Sequence, residues 1–304
     1  MAKKKKVITE NTEETKGVLI LALGHPYYGR MAAQLAMSIK TVSPNTNITV
    51  VKSGISLNHL NNDYLKFFDN IIECPKEYYT NKKGFEDYIK AKLFIYDLTP
   101  YDKTIYLDAD MVWVNRDIEE LFYNLNEVEF TIQNRGAFEL GNGELDKSIS
   151  WWCNVNDILP AYNLTKGTYF SLSSEFIYIK RANNVKKYFE KCKWVYNNMK
   201  VNYLKFANGI PDEIIFSIAM ILEDFYPHKT YFVPIYWEQA EKRRLIGLEL
   251  SNLFYAYSLG GKIVGDREKK IYNDLVQKYC NQNGLKHYFQ AKDKMLWLPE
   301  RQVI

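Results

Sequence analysis

Short apolar runs alternate with amphipathic segments along the first third of the chain. The run from Val18 to Leu23 ends at Gly24, which is typical of a buried strand closed by a turn. Between Arg30 and Thr41 the apolar residues recur at the spacing of a helix. The pattern then predicts strand, helix, strand, helix and strand, in the segments Asn47–Val51, Tyr64–Phe68, Asn70–Glu73, Glu86–Leu98 and Thr104–Leu107. This alternation favours an α/β fold with a mostly parallel, Rossmann-like sheet and flanking helices.

The rest of the chain has a less regular pattern. A short helix is predicted at Ile118–Leu125, and strand-like runs at Phe130–Ile132 and Thr168–Lys180 flank a polar loop from Asn134 to Trp152. Two helices, over 184–206 and 211–225, precede a strand at Tyr231–Val233. No internal repeat and no Pro- or Gly-rich linker interrupts this part, so we expect one domain over 17–304, with halves at 17–125 and 126–304.

Composition and charge limit the function classes. The 304 residues are 47% hydrophobic and 25% charged, with a net charge of +4. That charge is too small to indicate nucleic-acid binding, and part of it comes from the run Lys3–Lys6 within a predicted disordered tail, 1–16. No apolar stretch approaches the ~20 residues of a membrane span. Neither a signal peptide nor paired cysteine spacing is visible, so we expect a cytoplasmic protein with reduced thiols.

Two acids follow the predicted strand Thr104–Leu107. Asp108 and Asp110 are separated by Ala109, and in an extended chain residues at i and i+2 point to the same side. Paired carboxylates at a strand end suit a hard divalent cation, which prefers oxygen ligands. Two solvated acids at a strand-to-loop corner are the competing interpretation. Ligands of parallel sheets bind at the carboxyl ends of the strands, where this pair falls.

Three stretches resemble the glycogenin-like retaining glycosyltransferases of family 8, which have the GT-A fold. They are Leu21–Tyr28, the segment from Lys92 to Val112 that contains the acid pair, and Phe170–Ile179. The resemblance implies that the ring of Tyr28, or of Tyr27 in its place, stacks on a nucleotide base. It also implies that Lys92 contacts the sugar nucleotide, whose remaining contacts come from Leu23, Asp108, Ala109, Asp110 and Ser174.

The match is incomplete in the second half. Ser173 stands where the family has Asn, and Glu175 where it has Gly, which indicates a different sugar or acceptor pocket. Asp212 and Glu213 resemble the family's Asp-Gln pair in the sugar site, so Asp212 is a candidate catalytic residue. Its position at a helix start is equally typical of an ordinary N-terminal cap.

The resemblance also implies a third metal ligand near the C-terminus. His287 lies in a segment similar to the family's His motif, and Lys294, which matches its lysine, is expected to stabilise the leaving phosphate. The motif's Gly and Pro are absent. A competing match at Tyr257–Lys262 lacks the histidine altogether, and in that case phosphate oxygens would complete the metal's ligands.

The resemblance implies transfer of a sugar from a nucleotide-diphosphate sugar to a hydroxyl, and a UDP-sugar is the donor we expect. It also implies retention at the anomeric carbon and Mn²⁺ (or Mg²⁺) as cofactor. The acceptor stays open among a glycan, a protein and a modified DNA base, and self-association into a homodimer also stays open. Aromatic clusters that include Trp151 and Trp152 lie in the half that recognises acceptors. Two alternatives remain: a nucleotidyltransferase that makes the sugar nucleotide, and a non-catalytic glycan- or nucleic-acid-binding protein of the same fold.

Overall fold

The apolar runs form a central sheet in the computed structural model, which describes residues 14–146, 149–206, 209–229, 235–236, 255–259 and 266–285. The strands are β1 (Lys16–Ala22), β2 (Ile48–Lys52), β3 (Asn70–Glu73), β4 (Lys103–Leu107), β5 (Met111–Trp113), β6 (Phe130–Leu140), β7 (Gly167–Lys180), β8 (Ile235–Tyr236) and β9 (Ala256–Ser258). The helices are α1 (Pro26–Val42), α2 (Asn62–Leu65), α3 (Ile95–Leu98), α4 (Glu119–Asn124), α5 (Ile158–Ala161), α6 (Asn183–Asn197), α7 (Asp212–Glu223) and α8 (Asp266–Gln282).

Six strands form the main sheet in the order β3-β2-β1-β4-β7-β6. The first four are parallel, and β7 joins β4 antiparallel, which confirms the mostly parallel α/β fold. Side chains of β1 alternate between two cores, one shared with α1 and one shared with α6 and α7. Because both faces are covered, β1 has to be apolar from Val18 to Ala22, and this is why the segment is an unbroken hydrophobic run.

Helix α1 begins four residues before the predicted start. Pro26 occupies its first turn, where the missing N–H costs nothing, and His25 Nδ1 accepts a hydrogen bond from the Tyr27 amide at 3.1 Å. The loop from β1 to α1 is therefore only three residues long. Gly29 lets the helix pack against the Ser56 carbonyl, since a Cβ at this position would lie 1.9 Å from that oxygen.

The loop predicted from Asn134 is wrong over its first residues, because β6 continues through them. The strand continues to Leu140 because it pairs with β7 as far as Gly167, a long-range contact that the polar sequence did not indicate. The register shifts between Ile132 and Gln133, where β7 bulges by three residues, 174–176. A bulge of this kind redirects side chains, and here it moves Ser174 out of the regular ladder.

Other boundaries also differ from the predictions. The segment predicted as one helix over Glu86–Leu98 is a 3₁₀ helix, Tyr88–Phe94, followed by α3, and the helix predicted over 184–206 ends at Asn197. Lys16 already belongs to β1, and Thr15 donates from its amide and its hydroxyl to Asp102, so the described chain begins within the predicted tail. The strand predicted at Tyr231–Val233 lies outside the described residues.

A second sheet of three strands, in the order β5-β9-β8, lies beyond the end of β4. β5 pairs antiparallel with β9, which brings Met111 opposite Ser258. Within the described ranges, no helix has both the length and the apolar character needed to cross a membrane.

Candidate active site

The acid pair lies in the turn between β4 and β5. Asp108 follows the last residue of β4, and Ala109 and Asp110 form the turn, so the backbone is not extended as the i, i+2 argument assumed. The Asp108 amide donates to the Glu175 carbonyl in the β7 bulge at 3.0 Å, and the Asp110 carbonyl accepts from the Leu259 amide at 3.0 Å. The turn is thereby fixed between the two sheets, at the carboxyl end of a parallel strand.

Four of the predicted residues meet in one hydrogen-bonded cluster, which we call the Lys92 cluster: Lys92, Asp108, Ser174 and Asp212. Lys92 Nζ lies 2.9 Å from each carboxylate oxygen of Asp108 and 3.2 Å from Asp212 Oδ2. It also donates to Ser174 Oγ at 3.1 Å, and that hydroxyl donates to Asp212 Oδ2 at 2.5 Å. The residues come from the 3₁₀ helix, the end of β4, the β7 bulge and the start of α7.

The cluster keeps Lys92 charged. Burial opposes the ammonium charge, but the carboxylates of Asp108 and Asp212 outweigh it and raise the pKa of Lys92 well above its usual range. One ammonium is therefore shared by two carboxylates that would otherwise repel each other.

Tyr106 is a site residue that the sequence analysis missed. Its ring is buried in the sheet, and its hydroxyl donates to Asp108 Oδ1. Burial and then the Asp108 charge raise the pKa of this phenol, so it remains a hydrogen-bond donor. A tyrosine in a buried strand is typical of the hydrophobic core. The only signal in the sequence for its hydrogen bond to Asp108 is its position two residues earlier in the chain.

The first turn of α1 carries two tyrosines, Tyr27 and Tyr28. Burial, then the charge of Asp110 and then that of Asp108 raise the pKa of Tyr28. The rings of Tyr27 and Tyr28 meet edge to face, with centroids 6.1 Å apart. Leu23, the first residue of the loop between β1 and α1, has its side chain buried in the core.

The carboxyl of Glu213, the residue after Asp212, is also buried beside the Lys92 cluster. Its Oε2 accepts a hydrogen bond from Trp152 Nε1 at 2.6 Å. Burial, followed by the charge of neighbouring Asp212, raises the pKa of Glu213 to about 7. The carboxyl is thus partly protonated near neutral pH, whereas a solvated glutamate would be fully ionised.

The predicted third metal ligand, His287, and the predicted phosphate contact, Lys294, lie outside the described residues. In the part of the chain that the structure describes, no group of three or more His, Cys, Asp or Glu side chains could hold a metal ion. The two acids Asp108 and Asp110 supply hard oxygen donors, and such donors fit Mn²⁺ or Mg²⁺. The competing match to the family's His motif is Tyr257–Lys262. Its residue Leu259 lies beside Asp110, since the Leu259 amide donates to the Asp110 carbonyl.

Comparisons with known proteins find similarity only at the level of structure. No protein-family model and no curated protein matches the chain. The apo structure of WbbM, a bifunctional glycosyltransferase, superposes with a TM-score of 0.54 at 15% identity over 87% of this chain. That match takes in 50% of WbbM, so the chain spans about half the length of that protein.

An active-site mutant of LgtC superposes with a TM-score of 0.51 at 13% identity, covering 86% of this chain and 95% of LgtC. Both proteins are glycosyltransferases of the GT-A type. Together with the sheet order and the flanking helices, these likenesses establish that the chain has the GT-A glycosyltransferase fold.

Proposed function

We propose that this protein is a metal-dependent glycosyltransferase of the glycogenin-like family 8 type. It transfers a hexose from a UDP-sugar to a hydroxyl acceptor, with retention at the anomeric carbon. The observation that supports this most is the Lys92 cluster, in which four residues implied by the family resemblance meet at the carboxyl end of the parallel strands. Four side chains from four separate elements would not be expected to converge there if each were an ordinary surface residue.

The charges of the cluster suit a sugar nucleotide. Lys92 is a buried cation held in place by Asp108, Asp212 and Ser174, so its position is set before any ligand arrives. Such a preorganised charge stabilises negative charge that develops on a departing phosphate at little reorganisation cost. Asp212, at the N-terminus of α7, is the carboxylate that we assign to contact with the sugar's hydroxyls.

Asp108 and Asp110 are the residues that would hold the divalent cation. When bound, this ion supplies positive charge to the diphosphate of the donor. Hydrogen bonds from Lys92 and Tyr106 hold the Asp108 carboxylate, and the Glu175 carbonyl fixes its backbone. We assign Tyr28 to stacking on the nucleotide base, and what supports this is that the charges of Asp110 and Asp108 both act on its phenol. His287 and Lys294 remain predictions for the third ligand and a second phosphate contact.

The structure argues against the nucleotidyltransferase alternative. That activity would want a glycine-rich, basic phosphate loop after the first strand. Here three residues connect β1 to α1, and the helix starts with Pro26. The non-catalytic alternative is less well supported because both Asp108 and Asp110 are present and Asp108 is oriented by three separate groups.

The test is a thermal-shift titration with UDP-, GDP- and dTDP-sugars, each with Mn²⁺ and with EDTA, followed by release of free nucleotide from the best donor. Ligand binding to the native state raises Tm in proportion to RT ln(1 + [L]/Kd). We expect a Mn²⁺-dependent shift with a UDP-sugar. Asp108→Asn should lose this shift and at least 100-fold in nucleotide release, on the order of one lost electrostatic group.

The matched control is Asp274→Asn, which removes the same charge from an exposed ion pair with Lys270 on α8. This variant should behave as the wild type. A folded wild-type protein that binds no nucleotide sugar would refute the proposal, and so would an Asp108→Asn variant with unchanged nucleotide release.

A further inference from the structure

Three large apolar side chains are exposed in two segments that lie against each other. Phe85 is 63% exposed, Trp194 43% and Leu204 48%. Phe85 belongs to the turn between the bridged residues Thr80 and Glu86, and the other two belong to the end of α6 and the loop after it. Apolar groups that are exposed together mark a surface for a partner, whereas single ones need no explanation.

Contacts between the two segments hold them side by side. Lys82 Nζ donates to the Asn197 carbonyl at 2.8 Å, and the Tyr196 hydroxyl donates to Asp87 Oδ2 at 2.6 Å. Burial and then the charge of Asp87 raise the pKa of Tyr203, which lies in the loop after α6. The exposed side chains of 80–86 and 194–206 therefore form one surface, which we call the Phe85 patch.

The turn that carries Phe85 has a fixed shape. Asn81 Oδ1 accepts from the amides of Lys83 and Phe85 at 2.9 and 3.1 Å, and the Gly84 amide donates to the Asn81 carbonyl at 2.9 Å. Gly84 has a φ of +81°, which glycine adopts without strain. An apolar environment would thus bury the Phe85 ring without having to order the turn first.

The Phe85 patch also carries positive charge. Its two segments contain four exposed lysines and a single acid: Lys82, Lys83, Lys200, Lys205 and Glu86. Among the described residues, none of these four lysines is in an ion pair. The patch therefore presents cations that are free to meet an anionic partner.

Acids on the neighbouring elements do not cancel this charge. Glu86 accepts from the Tyr88 hydroxyl, and Glu190 and Asp97 are both paired with Lys193. The segment 135–166, which the Leu204 amide reaches through its bond to the Trp152 carbonyl, has four acids and three bases: Glu139, Glu144, Asp146, Asp157, Arg135, Lys147 and Lys166. The net positive charge is thus confined to the patch.

A lipid surface suits both properties of the patch. Aromatic and aliphatic side chains enter the boundary between headgroups and acyl chains, and lysines attract anionic headgroups. Tryptophan favours this boundary because its ring is apolar and its N–H is polar. A single-stranded nucleic acid would use the lysines and stack on the two rings, but it would gain nothing from the exposed Leu204.

We propose that the Phe85 patch docks this protein on an anionic bilayer surface. The apolar side chains enter the interface and the lysines bind the headgroups. The charge of Asp212 acts on the buried carboxyl of Asp87, next to the patch, so docking would bring the Lys92 cluster close to the bilayer. This inference goes beyond the proposed function and does not depend on the donor.

The test is flotation of the full chain, without donor or metal, with vesicles of phosphatidylcholine alone and of phosphatidylcholine and phosphatidylglycerol in equal parts. The variants are Phe85→Ser and the double variant Lys83→Gln with Lys205→Gln. The matched controls, Tyr123→Ser and Lys66→Gln, remove an exposed ring and an exposed cation from α4 and the end of α2, on the other face of the sheet from α6. Every variant keeps Lys3–Lys6, so a difference between variants reports the patch and not this run.

We expect the wild type to float with the anionic vesicles and to be released at about 1 M NaCl, where the screening length is about 3 Å. Phe85→Ser and the double lysine variant should each weaken binding about tenfold at an unchanged Tm, and the two controls should bind as the wild type does.

Three results would overturn the inference. They are failure of the wild type to float with anionic vesicles, binding that is unchanged in the patch variants, and an equal loss of binding in Tyr123→Ser and Phe85→Ser. Binding of oligo(dT) that exceeds vesicle binding and survives in Phe85→Ser would also overturn it, in favour of a nucleic acid. Vesicle binding without binding of any nucleotide sugar would instead refute the proposed function and leave this inference standing.

Discussion

Replacing Lys92 by methionine tests the centre of the candidate site. Methionine keeps the length and the apolar stem of the side chain but removes the ammonium that Asp108 and Asp212 share. Both carboxylates would then lie together without the cation between them. Ser174 would remain as a neutral donor to Asp212 and could not replace the lost charge.

The size of the effect follows from burial. Breaking a fully buried ion pair costs about 3–5 kcal/mol. The side chains of Lys92, Asp108 and Asp212 are 16%, 20% and 11% exposed, so some solvent reaches the carboxylates and we expect the lower end, about 3 kcal/mol. For a chain of this size, that corresponds to a fall in Tm of roughly 5 °C.

Thermal denaturation in EDTA measures the loss of stability, and denaturation in Mn²⁺ measures how strongly the ion stabilises each protein. In EDTA the variant should melt about 5 °C below the wild type. Mn²⁺ should stabilise the variant more than the wild type, because in the wild type Lys92 competes for the oxygens of Asp108. Lys270→Met is the matched control, since its ion pair with Asp274 is exposed and its Tm should match the wild type in either buffer.

Two results would refute this reasoning. If Lys92→Met has the same Tm as the wild type in EDTA, the ammonium of Lys92 does not stabilise the two carboxylates. If Mn²⁺ shifts both proteins equally, the ion and Lys92 do not share Asp108, and the proposed metal site is wrong.

Two further predictions concern stability away from the cluster. Since burial raises the pKa of Glu213 to about 7 from 4.5, the folded state binds its proton more tightly than the unfolded state, and stability present below pH 4.5 is lost as the pH rises through 7. The charges of Asp212, Arg135 and Lys92 also act on this carboxyl. In urea denaturation, the wild type should lose up to about 3 kcal/mol more stability between pH 4.5 and 8 than Glu213→Gln. Parallel curves of stability against pH for the two proteins would contradict this prediction. Gly29→Ala should lower the free energy of unfolding by about 1–3 kcal/mol, because the new Cβ meets the Ser56 carbonyl at 1.9 Å, and an unchanged urea midpoint would show that this contact is not tight.

The sheet was predictable because burial on both faces leaves a simple signal. The part of a strand such as β1 that is covered on both faces must be apolar, and the helices between strands must be amphipathic, so the alternation by itself indicates a parallel α/β sheet. The acid pair was visible for a similar reason, since charges directly after a buried strand contrast with their surroundings. The convergence of Lys92, Ser174 and Asp212 was expected only through the family resemblance.

Other features depended on contacts distant in sequence. β6 extends through polar residues because β7 offers it a partner, and the predicted helix at Glu86–Leu98 is partly 3₁₀ where Lys92 reaches its carboxylates. Neither local propensity nor periodicity carries this information.

The amino-acid sequence alone thus determined the sheet, its flanking helices and the position of the acids, because local hydrophobic patterning records which faces are buried. Tertiary structure decided the site itself. The bulge at 174–176 brings Ser174 to Asp212, 38 residues further along the chain. Hydrogen bonds between distant residues leave no periodic trace in the sequence, since each partner is chosen by the geometry of the folded chain.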